Sequence, residues 1–222
     1  MIYANPTPKG TGIELWGDHQ DLTCLYDTVC KLAYYSDSMP ANAAAFERND
    51  RLLSIISYEI RKAYKGQRMI THEVDNGVFK TTYYGFRVDW ITLLYSISSL
   101  RYNAGYTNLD NLDLSNLLIL EYWTKSALNR FDKTGSANIE LFINSRIDIT
   151  TEYVYLIHQR LIEKYFSQKP TKKRFRSIPS LLTSLTGNSL TEFISEINTI
   201  IQQQNCSIHE LEFEDNDTPI IW

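Results

Sequence analysis

The 222-residue sequence predicts an α+β fold: a small, mainly antiparallel sheet of three or four strands packed against five or six helices. Three observations predict it. Residues 10–35 switch from a two-residue to a helical hydrophobic period across Gly17 and Asp18. Residues 68–88 hold two β-prone runs joined by V-D-N-G-V, in which Asn76-Gly77 is a strong hairpin signal. Most of the remainder carries helical spacing, broken by Gly, Pro and Asn-Asp clusters.

Each element follows in order. Ile13 and Leu15 alternate with Glu14, which predicts a strand over 12–16. Asp18 can cap the helix that follows, and Asp21 in its first turn suits the helix dipole. Leu22, Leu25, Tyr26, Val29, Leu32 and Ala33 recur at the spacing of one helical face. A second helix is expected from Pro40, with Ser38 nearby as cap, to Gly66 as its C′ residue. Asn49 and Asp50 interrupt its apolar stripe. Strands follow at 68–74 and 78–88, then a third helix from Trp90 to about Asn103. Gly105 and N-L-D-N-L-D form a polar break. The fourth helix is expected over 114–131, with Asp113 as cap. Residues 132–148 read as irregular, with one helical piece at 139–143. The fifth helix, 150–168, should bury Val154, Ile157, Leu161 and Tyr165, and Pro170 ends it. Helical pieces at 179–185 and 189–204 flank Thr186-Gly187-Asn188. In the tail, Leu211 and Phe213 alternate with Glu210, Glu212 and Glu214, so 208–214 is expected as a strand able to join the N-terminal sheet.

Length and 43% hydrophobic content suit one domain over 1–222, with a minor boundary near 169–178. No apolar run approaches the ~18–20 residues that span a bilayer. No basic segment precedes an apolar one at the N-terminus, so the expected compartment is the cytoplasm, without membrane association. Cys24, Cys30 and Cys206 are too few and scattered for a disulfide framework and read as reduced thiols. The net charge of −4 hides an asymmetry. No Lys or Arg follows Arg176, and residues 177–222 carry seven acids. Just before that switch, Lys169, Lys172, Lys173, Arg174 and Arg176 crowd into K-P-T-K-K-R-F-R. Such polarity suggests a polyanion site or an internal latch with the acidic tail.

The segments T-G-I-E-L-W-G-D-H-Q-D-L-x-x-L-Y-D, S-Y-E-I-R-K-A-Y-K-G and Y-Y-G-F-R-V-D-W together carry a resemblance. The chain resembles an uncharacterised bacterial domain-of-unknown-function family over roughly residues 1–105. The resemblance implies no activity and supplies no catalytic residue.

Gly12 and Gly17 have the glycine spacing of a phosphate loop, but Asp18 and His19 stand where Lys and Ser or Thr are required. Asp18, His19 and Asp21 are the densest metal-capable patch, yet capping explains them, and no zinc motif is present. No metal or cofactor is expected. His158, on the apolar side of the fifth helix, reads as a core histidine. Tyr58, Arg61, Arg68, Tyr84 and Trp90 cluster with Glu59, Tyr83 and Arg87 around the hairpin. Tyr and Arg are the residues of binding hot spots.

The leading expectation is therefore a non-enzymatic interaction or regulatory module. Its ligand or partner surface uses Asp18, His19, Asp21, Tyr58, Arg61, Arg68, Tyr84 and Trp90, and its partner is a protein, a second copy of itself included. One alternative is an enzyme with a site near the N-terminus of the first helix. Another is a nucleic-acid binder using 169–176, weakened by the acidic helix that follows.

Overall fold

A computed structural model describes residues 1–33, 43–75, 79–143, 147–208, 210–211 and 220–222; within these, side chains 43–50, 73–75 and 79–80 are not described. Four strands form one sheet: β1 (Tyr3–Pro6), β2 (Gly12–Gly17), β3 (Met69–Asp75) and β4 (Phe79–Asp89). Their order is β1-β2-β4-β3, and every neighbour pair is antiparallel. The helices are α1 (His19–Ala33), α2 (Ala43–Tyr64), α3 (Trp90–Ala104), α4 (Asn111–Phe131), α5 (Lys133–Glu140), α6 (Val154–Phe166), α7 (Lys172–Arg176), α8 (Ile178–Leu182) and α9 (Asn188–Gln204). The α+β class is as the sequence predicts.

The pleat sorts the sheet's residues. Ala4, Ile13, Leu15, Phe86 and Val88 are buried on the helix-covered face. On the other face Trp16 lies stacked beside Tyr3, with ring centroids 6.5 Å apart. Tyr83 meets Tyr3 edge-on at 5.7 Å. Gly85 pairs with Trp16, and any side chain there would strike the indole. Glu14 and Arg87 are cross-strand partners, joined by hydrogen bonds of 2.7 and 2.9 Å.

The edge strand β1 was not foreseen. It ends at Pro6, and an edge strand tolerates proline because one side of its backbone needs no ladder bond. The expected tail strand at 208–214 differs from the structure where it can be compared: Ile208, Glu210 and Leu211 are turn or irregular. Residues 209 and 212–219 lie outside the described residues, as do the start of the second helix near Pro40 and the Asn76-Gly77 turn. The strands that flank that turn do pair, Asp75 opposite Phe79.

α3 is the centre of the core. It starts directly from β4 and packs against α1, α2, α4, α6 and the sheet. Trp90, Ile91, Leu93, Leu94, Ile97 and Leu100 are buried, as are Ser96, Ser99 and Asn103 on its other faces. A helix apolar on most sides can be stable only when enclosed. Asp89 caps it by accepting from the Thr92 amide at 2.9 Å.

Two elements differ from the sequence expectation. α4 begins at Asn111, not 114, because Asp110 is the cap and Asp113 is the third helical residue that completes the capping box. The 132–148 stretch is not mainly irregular, since α5 occupies Lys133–Glu140. Within the basic run, Thr171 caps the short α7 and accepts from the Arg174 amide at 3.4 Å.

Candidate interaction face

The first site element is the α1 N-terminus. The Asp21 amide donates to Asp18 at 2.9 Å and the Asp18 amide donates to Asp21 at 3.1 Å, a reciprocal capping box. The Met1 ammonium lies 2.5 Å from Asp21. Burial would raise the Asp18 carboxyl, but the Asp21 amide and the Met1 ammonium outweigh it and hold the group below its ordinary value. Both acids are thus committed to backbone and terminus.

His19 points elsewhere. Its ring meets Tyr64 edge-on at 5.6 Å and Tyr84 at 6.3 Å. Tyr26, two helical turns along α1, meets Tyr64 edge-on at 5.6 Å. One aromatic cluster therefore joins α1, the end of α2 and β4. Its centre, Tyr64, was missed in the sequence, as was Tyr26, which reads as core. The signal was present: His19 and Tyr26 are seven apart, the spacing of one helical face. The Tyr26 hydroxyl is hydrogen-bonded to the Cys30 thiol, and that bond, with burial, pushes it up to about 12. Burial pushes the Cys30 thiol up as well.

Beside this cluster opens a cleft of about 430 Å³, lined by Tyr26 of α1 and by Ser54, Ile55, Ser57, Tyr58, Glu59 and Arg61 of α2. Tyr58 stands at its rim, 43% exposed. Three cations surround its ring: Lys62 Nζ at 5.3 Å, Arg61 at 5.6 Å and Arg68 at 5.8 Å from the centroid. Each lies within the range of a cation–π contact. Glu59 holds Arg68 through two bonds of 2.7 Å. Arg61 meets no carboxylate at ion-pair distance among the described residues.

The local fold explains the arrangement. α2 ends in a Schellman turn, with the Gln67 amide donating to Lys62 O at 2.9 Å and the Gly66 amide to Ala63 O at 2.8 Å. Gly66 takes the left-handed conformation this requires, with φ +71. The chain then reverses into β3 and brings Arg68 back beside Glu59 and Tyr58.

The structure brings Tyr58, Arg61 and Arg68 together around the cleft, and gathers His19 and Tyr84 about Tyr64. Asp18 and Asp21 do not line the cleft. Trp90 is not part of any surface: it is fully buried, donates from Nε1 to Gly10 O at 3.0 Å, and packs edge-on against Phe175.

The basic run divides. Arg174 is buried and donates to Thr11 Oγ1 at 2.5 Å, with its guanidinium 4.5 Å from the Tyr165 ring centroid. Arg176 donates to both oxygens of Asp132, which its hydrogen bond holds below the usual carboxylate range. Lys169, Lys172 and Lys173 stay exposed. A polyanion surface here would draw on three lysines instead of five bases. The tail at 212–219, the other half of the expected latch, lies outside the described residues. No three His, Cys, Asp or Glu side chains among the described residues gather as a metal site. No described helix is long and apolar enough to cross a membrane.

Fold and face together define a helix-backed antiparallel-sheet domain with an aromatic, cation-rich cleft where α1, α2 and the hairpin meet. The chain belongs to the family described as a domain of unknown function, DUF6904, whose model matches residues 2–222. Membership thus extends past the first 105 residues to the basic run and the acidic tail. No curated protein and no solved structure matches the chain.

Proposed function

We propose that the protein is a non-enzymatic interaction or regulatory module of the bacterial cytoplasm, and that its α1–α2–hairpin face receives an acidic segment of a partner protein. The observation that carries this reading is the set of three cations around the half-exposed Tyr58 at the rim of an open cleft. Glu59 is engaged by Arg68, so Arg61 and Lys62 retain charge for a partner. An aromatic ring flanked by guanidinium groups offers large buried area and polar reach together. An acidic segment with an apolar or aromatic anchor matches both properties.

Amide NMR titration with a glutamate-rich peptide carrying one tyrosine tests this reading. Shifts are expected at residues 54–68 and near His19 and Tyr26, weakening with added salt as partly exposed charge contacts do. Arg61→Glu should remove them. Shifts confined to another face, or none at millimolar peptide, contradict it.

A further inference from the structure

We infer that the protein forms a two-fold dimer through the outward face of α4, an interface separate from the cleft. Leu112, Leu114, Leu118, Ile119 and Tyr122 are 56, 46, 61, 38 and 64% exposed. At about 100° per residue these five fall within one arc of roughly 160° on the helix. The opposite side of the same helix is ordinary core, with Leu117, Leu120, Ala127 and Leu128 buried. The sequence N-L-D-L-S-N-L-L-I-L-E-Y-W is apolar around most of the helix, the pattern of an enclosed helix. The protomer encloses only half of it.

The charges within this stretch are turned away from the stripe. Asp113 points inward and takes Lys31 at 2.5 Å and the Thr28 hydroxyl at 2.9 Å. Glu121 points inward and is paired with Arg101. The outward face from Asn111 to Thr124 is therefore without charge, whereas surface helices of monomeric proteins normally place their charges outward. The five side chains offer on the order of 500 Å² of largely apolar surface. With the flanking Ser115, Lys125 and Ser126, this approaches the ~800 Å² per partner of a stable interface.

The order of residues along the stripe selects the occupant. Asp110 is exposed at one end. Its Oδ1 caps the helix by accepting from Leu112 and Asp113. At the other end Lys125 meets no carboxylate at ion-pair distance among the described residues. Set two copies antiparallel with Leu118 on the axis. Leu114 then faces Tyr122, and Asp110 comes within about one residue of Lys125 of the second copy, in both directions at once. That is the reciprocity an isologous contact requires. The antiparallel arrangement also opposes the two helix dipoles. A second copy of the chain fits this charge order without further assumption.

Sedimentation of the full chain over a concentration series up to about 100 µM tests it, since dimer stability is tied to protomer concentration. The wild type should sediment as a dimer, and Leu118→Glu as a monomer that keeps the far-UV circular dichroism of the fold and melts at a temperature independent of its concentration, because Leu118 is an exposed position. Lys125→Glu should weaken association about tenfold at low salt, with the difference fading at high salt. Leu118→Cys should form an intermolecular disulfide under mild oxidant, faster than the wild type with its own three cysteines. This last arm also decides the matter if Leu118→Glu fails to fold. A wild type that remains monomeric across the series overturns the inference. So does a dimer that survives Leu118→Glu.

Discussion

Burial decides the chemistry of His158. Its Nε2 lies 3.0 Å from the Thr92 hydroxyl, the Tyr95 ring packs edge-on at 5.4 Å, and burial pushes the imidazole from 6.5 down to about 3. The folded state therefore holds it neutral while the unfolded state takes a proton below pH 6.5. A depressed histidine contributes stability that is full above 6.5 and is lost as the pH falls toward 3, by about 1.4 kcal/mol per pH unit. Between pH 6.5 and 5, replacing His158 with Gln should flatten the slope of unfolding free energy by about that amount per unit. Denaturant unfolding at four or five pH values checks this, and an unchanged slope contradicts it. The core role of His158 was legible from its apolar neighbours Val154, Ile157 and Leu161. Arg174 was not legible. Inside K-P-T-K-K-R-F-R it looks solvated; Tyr165 and Gln168, which help to bury it, lie only a few residues back at the end of α6, but Thr11 comes from the far end of the chain. Trp90 misleads in the same way, since its tie to Gly10 spans a separation that periodicity cannot see.

Among the elements, α2 shows how a terminus positions a site. Its Schellman end fixes Arg61, Lys62 and Tyr64 relative to Arg68, and Gly66 is the residue that permits it. A Cβ there would meet nothing closer than Ile70 at 3.5 Å, so the cost of substitution is conformational and not steric. Gly66→Ala should cost about 1 kcal/mol of stability. Chemical denaturation measures it, and a neutral result would mean that the turn is not held as described. α1 and α6, whose single buried face imposes 3.6-residue spacing, were legible to within a few residues, and α3, enclosed on most sides, was legible as a mainly apolar run directly after Asp89. Short elements were not. α7 has five residues, too few for a period, and its existence rests on the Thr171 cap. The α4 start was displaced because Asp113 resembles a cap. It is in fact the reciprocal partner of Asp110, and it also anchors α4 to Thr28 and Lys31 of α1.

For the whole molecule, the G-T-G turn near the start is a structural centre. Thr7 Oγ1 accepts from the amides of Thr11 and Gly12 at 2.9 and 3.0 Å. Thr11 Oγ1 donates to Ile221 O at 2.5 Å and accepts from Arg174. The same residues that make the start of the chain recognisable thus tie α7 and residue 221 to the sheet. The two surfaces left open by this organisation differ in kind. The α4 stripe is apolar and uncharged, suited to a second copy. The face around Tyr58 is aromatic and cationic, suited to an acidic partner. Half of that second face was legible, since Tyr58, Arg61, Arg68 and Tyr84 stood out by composition and position. The cleft and the central place of Tyr64 exist only once α1 packs on α2. Photo-crosslinking tests whether the Tyr58 face receives a partner: p-benzoylphenylalanine is placed at Tyr58 in the full chain inside living cells, with the same group at Lys172 as comparison. Position 58 should give a discrete crosslinked protein that disappears with Arg61→Glu, and position 172 no such product. A product from position 172 alone, or a position-58 product indifferent to Arg61→Glu, would contradict it.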